Sequence, residues 1–238
     1  KWKEIQGMLW KADKKAGCMM DILVGTTNRN KVLSVESYLK GYAVNILTPD
    51  DLGLQVQINE NGKTPIENAK IKALAYYRAS HIPTVAFDSG LYFLDLDDED
   101  VRQPKTHVRR VHGKTLSDEE MIAYYGKLAS QFEGRLLAAY RNGCCVVYDE
   151  KHIYTYMDNK ETARAFAFYL CDKPHELRTP GWPLDSISID ARSMKYFHDL
   201  EKDGDDVSRE NSEPKEDAQQ LHDYAFLRSF CIKAFHLQ

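Results

Sequence analysis

The 238 residues are 43% hydrophobic, enough to fill a sizeable core without disulfides or a structural metal. The 32 Lys and Arg against 36 Asp and Glu leave a net charge of -4. That balance excludes a globally basic nucleic-acid coat or anionic-membrane binder and confines any cationic site to a local patch. Cysteines at 18, 144, 145, 171 and 231 form neither a disulfide framework nor a CxxC metal knuckle, and no apolar run reaches the roughly 18 residues of a membrane span. The expectation is a cytoplasmic protein that engages no nucleic acid and no membrane.

Residues 1–19 mix Trp2, Met8, Leu9 and Trp10 with lysines and lack the apolar core and cleavage site of a signal peptide. They read as a tail or extension, and 20–238 as a single domain. Ile22, Leu23 and Val24 predict a strand ended by Gly25. The polar loop from Thr26 leads into a helix over 31–39, with Val32, Val35, Tyr38 and Leu39 at helical spacing. A second strand covers 43–47. Thr64-Pro65-Ile66-Glu67 then supplies a cap hydroxyl, a first-turn proline and a carboxylate three residues after the cap, predicting a helix to about Ser80. The next strand, 84–87, ends at Asp88-Ser89-Gly90; residues 91–96 read as extended or irregular, and the acidic run 95–100 as solvent-facing. This alternation argues for an α/β layer fold with functional loops at the carboxyl ends of strands.

Further along, a helix over 116–131 is capped by Ser117 or Asp118. Strands at 135–141, 144–148 and 153–157 follow, with turns at Asn142-Gly143, a hairpin signal, and Asp149-Glu150. An extended segment over 163–170 precedes the punctuated stretch Pro180-Gly181-Trp182-Pro183. Residues 201–220 hold eight acidic and three basic residues and no aromatic, the composition of a mobile loop. A final amphipathic helix spans about 220–235.

Three constellations suggest chemistry. In the first, the loop Thr26-Thr27-Asn28-Arg29-Asn30-Lys31 offers hydroxyls, helix N-terminal amides and a lysine to phosphate groups, or simply caps a helix. Lys31 favours an anion, because a lysine in the first turn opposes the helix dipole unless one is near. The second pairs Glu67 with Asp88, two carboxylates suited to a divalent cation; the alternatives are a capping box for Glu67 and a turn cap for Asp88. The third is Lys105, His107, Arg109, Arg110 and His112. On a strand, 105, 107 and 109 would share a face toward a polyphosphate, although a solvated basic strand fits equally. Trp182 reads as a rigid loop aromatic, able to stack on a base or to anchor the loop.

The ordered segments from Ile22 to Lys31, from Thr64 to Ala73 and from Ala86 to Leu91 resemble the inosine/xanthosine triphosphate pyrophosphatase family. The resemblance covers 21–96, with weaker echoes over 116–156 and 181–185. It implies an elongated two-lobed α/β mixed-sheet fold around a central cleft, usually a homodimer. The implied activity is hydrolysis of a nucleoside triphosphate, such as ITP or XTP, to the monophosphate and pyrophosphate with Mg²⁺, Mn²⁺ being an alternative. By the resemblance, Thr26, Thr27, Asn28, Lys31, Ser89 and Gly90 hold phosphates, Glu67 and Asp88 hold the metal, Asp88, Glu67 and Lys31 act in catalysis, and Trp182 and Asp185 face the nucleobase. The chain also departs from the family. Phe87 stands where another aspartate is common, residues 95–110 replace the usual Pro-Gly and Ser-Ala-Arg stretch, and Ser208-Arg209 lacks the histidine of the purine-reading Ser-His-Arg motif. The competing reading is a nucleotide-binding or regulatory protein that kept the fold and lost turnover.

Overall fold

The computed structural model describes residues 19–202 and 218–238. Of the expected tail and acidic loop, residues 1–18 and 203–217 lie outside the described residues. In chain order the elements are β1 (Met20–Val24), α1 (Arg29–Tyr38), β2 (Val44–Leu47), α2 (Pro65–Ser80), β3 (Thr84–Phe93), β4 (Arg110–Val111), β5 (Lys114–Thr115), α3 (Asp118–Ala129), β6 (Arg135–Val147), β7 (Ile153–Met157), α4 (Lys160–Arg164), β8 (Phe168–Cys171), a 3-10 helix (Pro183–Ile187), β9 (Ser188–Asp190), α5 (Phe197–Lys202) and α6 (Ala218–Ala234).

One seven-stranded mixed sheet runs β2-β1-β3-β6-β8-β9, with β7 also paired to β6. β1 is parallel to β2 and β3; the remaining pairings are antiparallel. This is the expected α/β mixed-sheet class. Side chains alternate across a strand, so each face of β3 takes every second residue. Val85 and Phe87 join Ile22, Val24, Cys144 and Val146 against α1 and α6, and farther along the same face Leu91 and Phe93 pack on Met121, Ile122 and Tyr125 of α3. On the other face Ala86 packs with Cys145 and Val147 beneath Ala69 and Ala73 of α2. Helix starts follow their local chemistry. Thr64 caps α2 with Pro65 in its first turn, and Ser117 caps α3 in a reciprocal box with Glu120.

Four local expectations are corrected. β3 does not stop at Asp88: it pairs with β6 from Thr84↔Val147 to Phe93↔Ala138, which leaves Asp88, Ser89 and Gly90 in mid-strand opposite Gly143, Asn142 and Arg141. Asn142-Gly143 is accordingly no hairpin turn, because β6 runs through it unbroken. Residues 105–109 form no strand. Lys105 makes a single bridge to Leu91 with its own φ at 51°, and the following hairpin turns on His112 and Gly113, both at positive φ. Finally, residues 163–164 close α4, and β8 begins at Phe168.

Gly143 has a packing reason rather than a turn reason. A Cβ there would meet the Ile66 amide nitrogen at 2.5 Å and the Pro65 carbonyl carbon at 2.6 Å, both backbone atoms at the start of α2. Only a glycine lets that helix terminus lie on the sheet beside Asp88. Gly143→Ala is therefore expected to cost about 1–3 kcal/mol of overpacking, read as a lower urea midpoint with an unchanged m-value.

Candidate functional site

The site is built around an interruption in the sheet. On its edge away from β6, β3 is accompanied by β1 as far as Val24↔Val85, with the Gly25 amide donating to the Val85 carbonyl at 2.8 Å. The chain after β3 returns at Leu91, which exchanges two backbone bonds of 3.0 Å with Lys105. Among the described residues no strand flanks β3 between these points, over Phe87, Asp88 and Ser89. Residues 103–116 form a strap on the far side of this gap, and the loop from Thr26 to Asn28 forms the near side.

One face of the gap is a cavity of about 210 Å³ lined by Asn28, Asn30, Lys31, Ser34, Tyr38, Phe87, Ser89, Asn142 and Leu227, a set without a carboxylate. Asn28 is the N-cap of α1, its side chain accepting the Asn30 amide at 2.9 Å, while the Thr26 hydroxyl accepts the Asn28 amide at 3.1 Å. These bonds fix the loop. The Ser89 hydroxyl donates to Asn142 Oδ1 at 2.8 Å and joins the two central strands at the cavity floor. Phe87 is nearly buried in the core formed with α1 and α6. Thr27 is exposed and, like Thr26, lines neither this cavity nor the second one described below.

Asp88 belongs to the opposite face, under α2. Its Oδ1 accepts Lys72 Nζ at 2.9 Å and its Oδ2 accepts Asn68 Nδ2 at 3.0 Å. Lys72 Nζ also lies 2.9 Å from Glu60 Oε2, so one ammonium, 13% exposed, bridges two carboxylates. Asn68 and Lys72 reach Asp88 together because residues four apart share a helix face. Asn68 Oδ1 in turn accepts the Gly62 amide at 2.7 Å. Glu67 is next in sequence to Asn68, but its Oε2 is bonded to the Lys63 amide at 2.6 Å, one residue before the cap, instead of closing a capping box on Thr64. Gly90 is a contact point: a Cβ there would meet the Lys105 carbonyl oxygen at 2.8 Å and Pro65 Cγ at 2.9 Å. Of the expected phosphate and catalytic residues, Lys31, Asn28 and Ser89 thus share a cavity, while Asp88 and Glu67 lie across β3 from it.

A second cavity, of about 290 Å³, adjoins Asp88's partners and is lined by Glu60, Asn68, Thr106, His107, Arg109, Arg110 and Thr115. Trp182 and Asp185 line neither cavity. Trp182 is exposed at the start of the 3-10 helix and Asp185 lies within it. Their loop is tied to the second cavity through Asp118, which accepts the Gly181 amide at 2.8 Å and Arg109 Nη1 at 2.7 Å. The Gly181 hydrogen bond, with that from Arg109, holds the Asp118 carboxyl below the ordinary aspartate range.

The sequence reading missed Glu60, Asn68 and Lys72. The spacing of Asn68 and Lys72, flanking the buried Ala69 and Ala73, was the available signal. It also placed Asp98 in solvent. Asp98 in fact pairs at 2.7 Å with Arg141, whose guanidinium is buried over the Tyr92 ring. Burial pushes the Tyr92 hydroxyl up to about 12.

Comparison with known proteins matches the Ham1 family over residues 22–163. The chain belongs to the Ham1 family. It is 40% identical over 98 residues to a dITP/XTP pyrophosphatase of Leptospira interrogans, an alignment covering 41% of this chain and 48% of that protein. A dITP/XTP pyrophosphatase of Treponema denticola is 32% identical over 147 residues, covering 60% of this chain and 71% of the relative. The chain thus spans about half the length of the Leptospira relatives it matches. The fold is similar to that of the Staphylococcus aureus Ham1 protein, with a TM-score of 0.59 at 21% identity, covering 88% of this chain and 98% of the other. Family and fold therefore agree with the resemblance in the three sequence segments. No helix among the described residues is long and apolar enough to cross a membrane.

The Asp118 contacts predict an acid-sensitive loop. A depressed folded-state pKa contributes stability that is present above the unfolded value and lost as pH falls through the folded one. With Trp2 and Trp10 replaced by Phe, Trp182 emission should stay constant down to the 3.8 of an ordinary aspartate and shift only below it. Asp118→Asn should shift the emission already at neutral pH.

Proposed function

We propose that the protein hydrolyses a nucleoside triphosphate, of the non-canonical purine kind exemplified by ITP and XTP, to the monophosphate and pyrophosphate in a Mg²⁺-dependent reaction, with Mn²⁺ as a substitute. The observation that supports this best is the gap in β3 pairing. Lys31 with its amide-rich cavity borders one face, and the Asp88, Lys72 and Asn68 cluster borders the other. Family membership supports the same reading, and the names of the Leptospira and Treponema relatives suggest the base class.

In this chemistry water attacks the α-phosphorus, the bond to the bridging oxygen breaks, and pyrophosphate leaves with the electron pair. Asp88 is the group suited to take the proton from water. Oδ1 accepts from Lys72 and Oδ2 from Asn68, each oxygen retains lone-pair capacity, and the two contacts fix the carboxylate's orientation. Lys72, between two carboxylates, also provides positive charge beside the reacting phosphate. Asn28 and Lys31 would orient the phosphate chain from the other side.

The donor chemistry fits the metal. Glu67 and Asp88 are hard oxygen donors, and Mg²⁺ usually takes one or two carboxylates and completes its shell with phosphate oxygens and water. Among the described residues no group of three or more His, Cys, Asp or Glu forms a closed metal cage. When bound, the ion would neutralise phosphate charge and polarise the attacked phosphoryl group. A homodimer, as the resemblance implies, is part of the same proposal.

Pyrophosphate release from a panel of standard and deaminated triphosphates tests this reading. Wild type should turn over with Mg²⁺ and stop with chelator. Asp88→Asn should lose about 100-fold or more, and Lys72→Met a comparable factor through lost charge stabilisation. Absence of turnover on every triphosphate would overturn the proposal in favour of a nucleotide-binding protein, for which the Phe87 replacement is the favouring observation.

A further inference from the structure

We infer that Tyr140 is the stacking platform for the substrate's base, and that base binding in this chain depends on that ring and not on Trp182. The inference deepens the hydrolase reading and rests on it for the identity of the ligand.

Tyr140 is an anomaly of β6. After Arg135 every other residue of the strand is buried or half-buried, whereas Tyr140, in its middle, is 45% exposed. The reason is a change of partners. β8 accompanies β6 only as far as Ala138 and β7 joins it at Gly143, so Tyr140 stands in the interval between them. Open sheets bind ligands where strand partners change.

The ring is supported from within the core. Tyr140 shares a face of the sheet with Ala138, whose partner in β8 is Phe168. The Phe168 ring stacks on Tyr140 with centroids 6.0 Å apart and planes at 29°, and the Phe197 ring packs on Phe168 at 5.5 Å. Phe168 is buried, so the support is fixed. A tyrosine whose ring plane is already set loses little further freedom when a base stacks on its open surface.

Its position suits a nucleotide. Ser89 and Asn142 pair across the ladder at the floor of the Lys31 cavity, and Leu91 and Tyr140 are the next pair on that face. One such step is about 7 Å along the strand, roughly the span of a ribose. A nucleotide whose phosphates meet Asn28 and Lys31 therefore brings its base over Tyr140. Stacking accepts any base, because each has a π face, and it grows with ring area, so purines are held more tightly than pyrimidines. Trp182, by contrast, stands at the start of the 3-10 helix and lines neither cavity.

Titration calorimetry in chelator, with ITP and inorganic tripolyphosphate as paired probes, separates base binding from phosphate binding without turnover. Tyr140→Ala should bind ITP about 5- to 150-fold more weakly, the worth of one stacked base, with tripolyphosphate affinity unchanged. Tyr140→Phe should retain the ITP affinity, and the loss measured with UTP should be smaller than with ITP. Should Tyr140→Ala fail to fold, Tyr140→Leu, which keeps an apolar contact with Phe168 but has no ring, decides. No ITP binding by wild type, equal ITP affinity in wild type and Tyr140→Ala, an equal loss of tripolyphosphate affinity, or a loss of ITP binding in Trp182→Ala alone would overturn the platform. Normal turnover with a KM for ITP unmoved by Tyr140→Ala would sink the platform alone. Tyr140-dependent ITP binding in a protein that releases no pyrophosphate from any triphosphate would sink the hydrolase reading alone.

Discussion

The ten-residue antiparallel ladder between β3 and β6 is the constraint on which the rest depends. Both strands are longer than any neighbour, and each is flanked by two different partners in succession. β3 has β1 and then the strap; β6 has β8 along its first residues and β7 along its last. Two groups of packed elements therefore share one hydrogen-bonded spine, and the site lies where partners change. This is the switch-point logic of open α/β sheets, realised in a mixed sheet.

The second requirement is the close approach of α2 to that spine. Backbone contact at Gly143 places Asn68 and Lys72 over Asp88, and small residues at 69 and 73 keep the helix down along its length. Half-buried carboxylates are costly unless paired, so an ammonium between Glu60 and Asp88 both stabilises the arrangement and concentrates charge where phosphate would approach. Removing the lysine would leave two carboxylates facing one another.

Much of this was readable in the chain. The Thr64-Pro65 start of α2, the strand before Gly25 and the Ser117 cap follow from local chemistry, and all three appear where expected. The segments around Lys31, Glu67 and Asp88 also pointed to the right family. What local sequence does not encode is which strands continue. Asp-Ser-Gly and Asn-Gly are turn formers in isolation, but pairing with each other across the ladder keeps both extended. Glycine at 143 was read as a bend because its true reason, the helix lying on it, is 77 residues away in sequence at Ile66. The roles of Glu60 and Asp98 were hidden for a similar reason: a charge in a polar stretch looks solvated until its distant cation is known.

The strap's attachment has a further consequence for how such a protein can change. It meets β3 through the Leu91–Lys105 bridge and the Gln103 side chain on the Phe93 backbone, and contributes no extended ladder to the sheet. The entropy of closing a loop rises only slowly with its length. Insertions or exchanges between the spine and α3 can therefore remodel one wall of the cleft while leaving the sheet register intact. The ladder fixes the register, and changes of length in that wall are borne by the strap's own side-chain contacts to Phe93, Gly62 and Asp118.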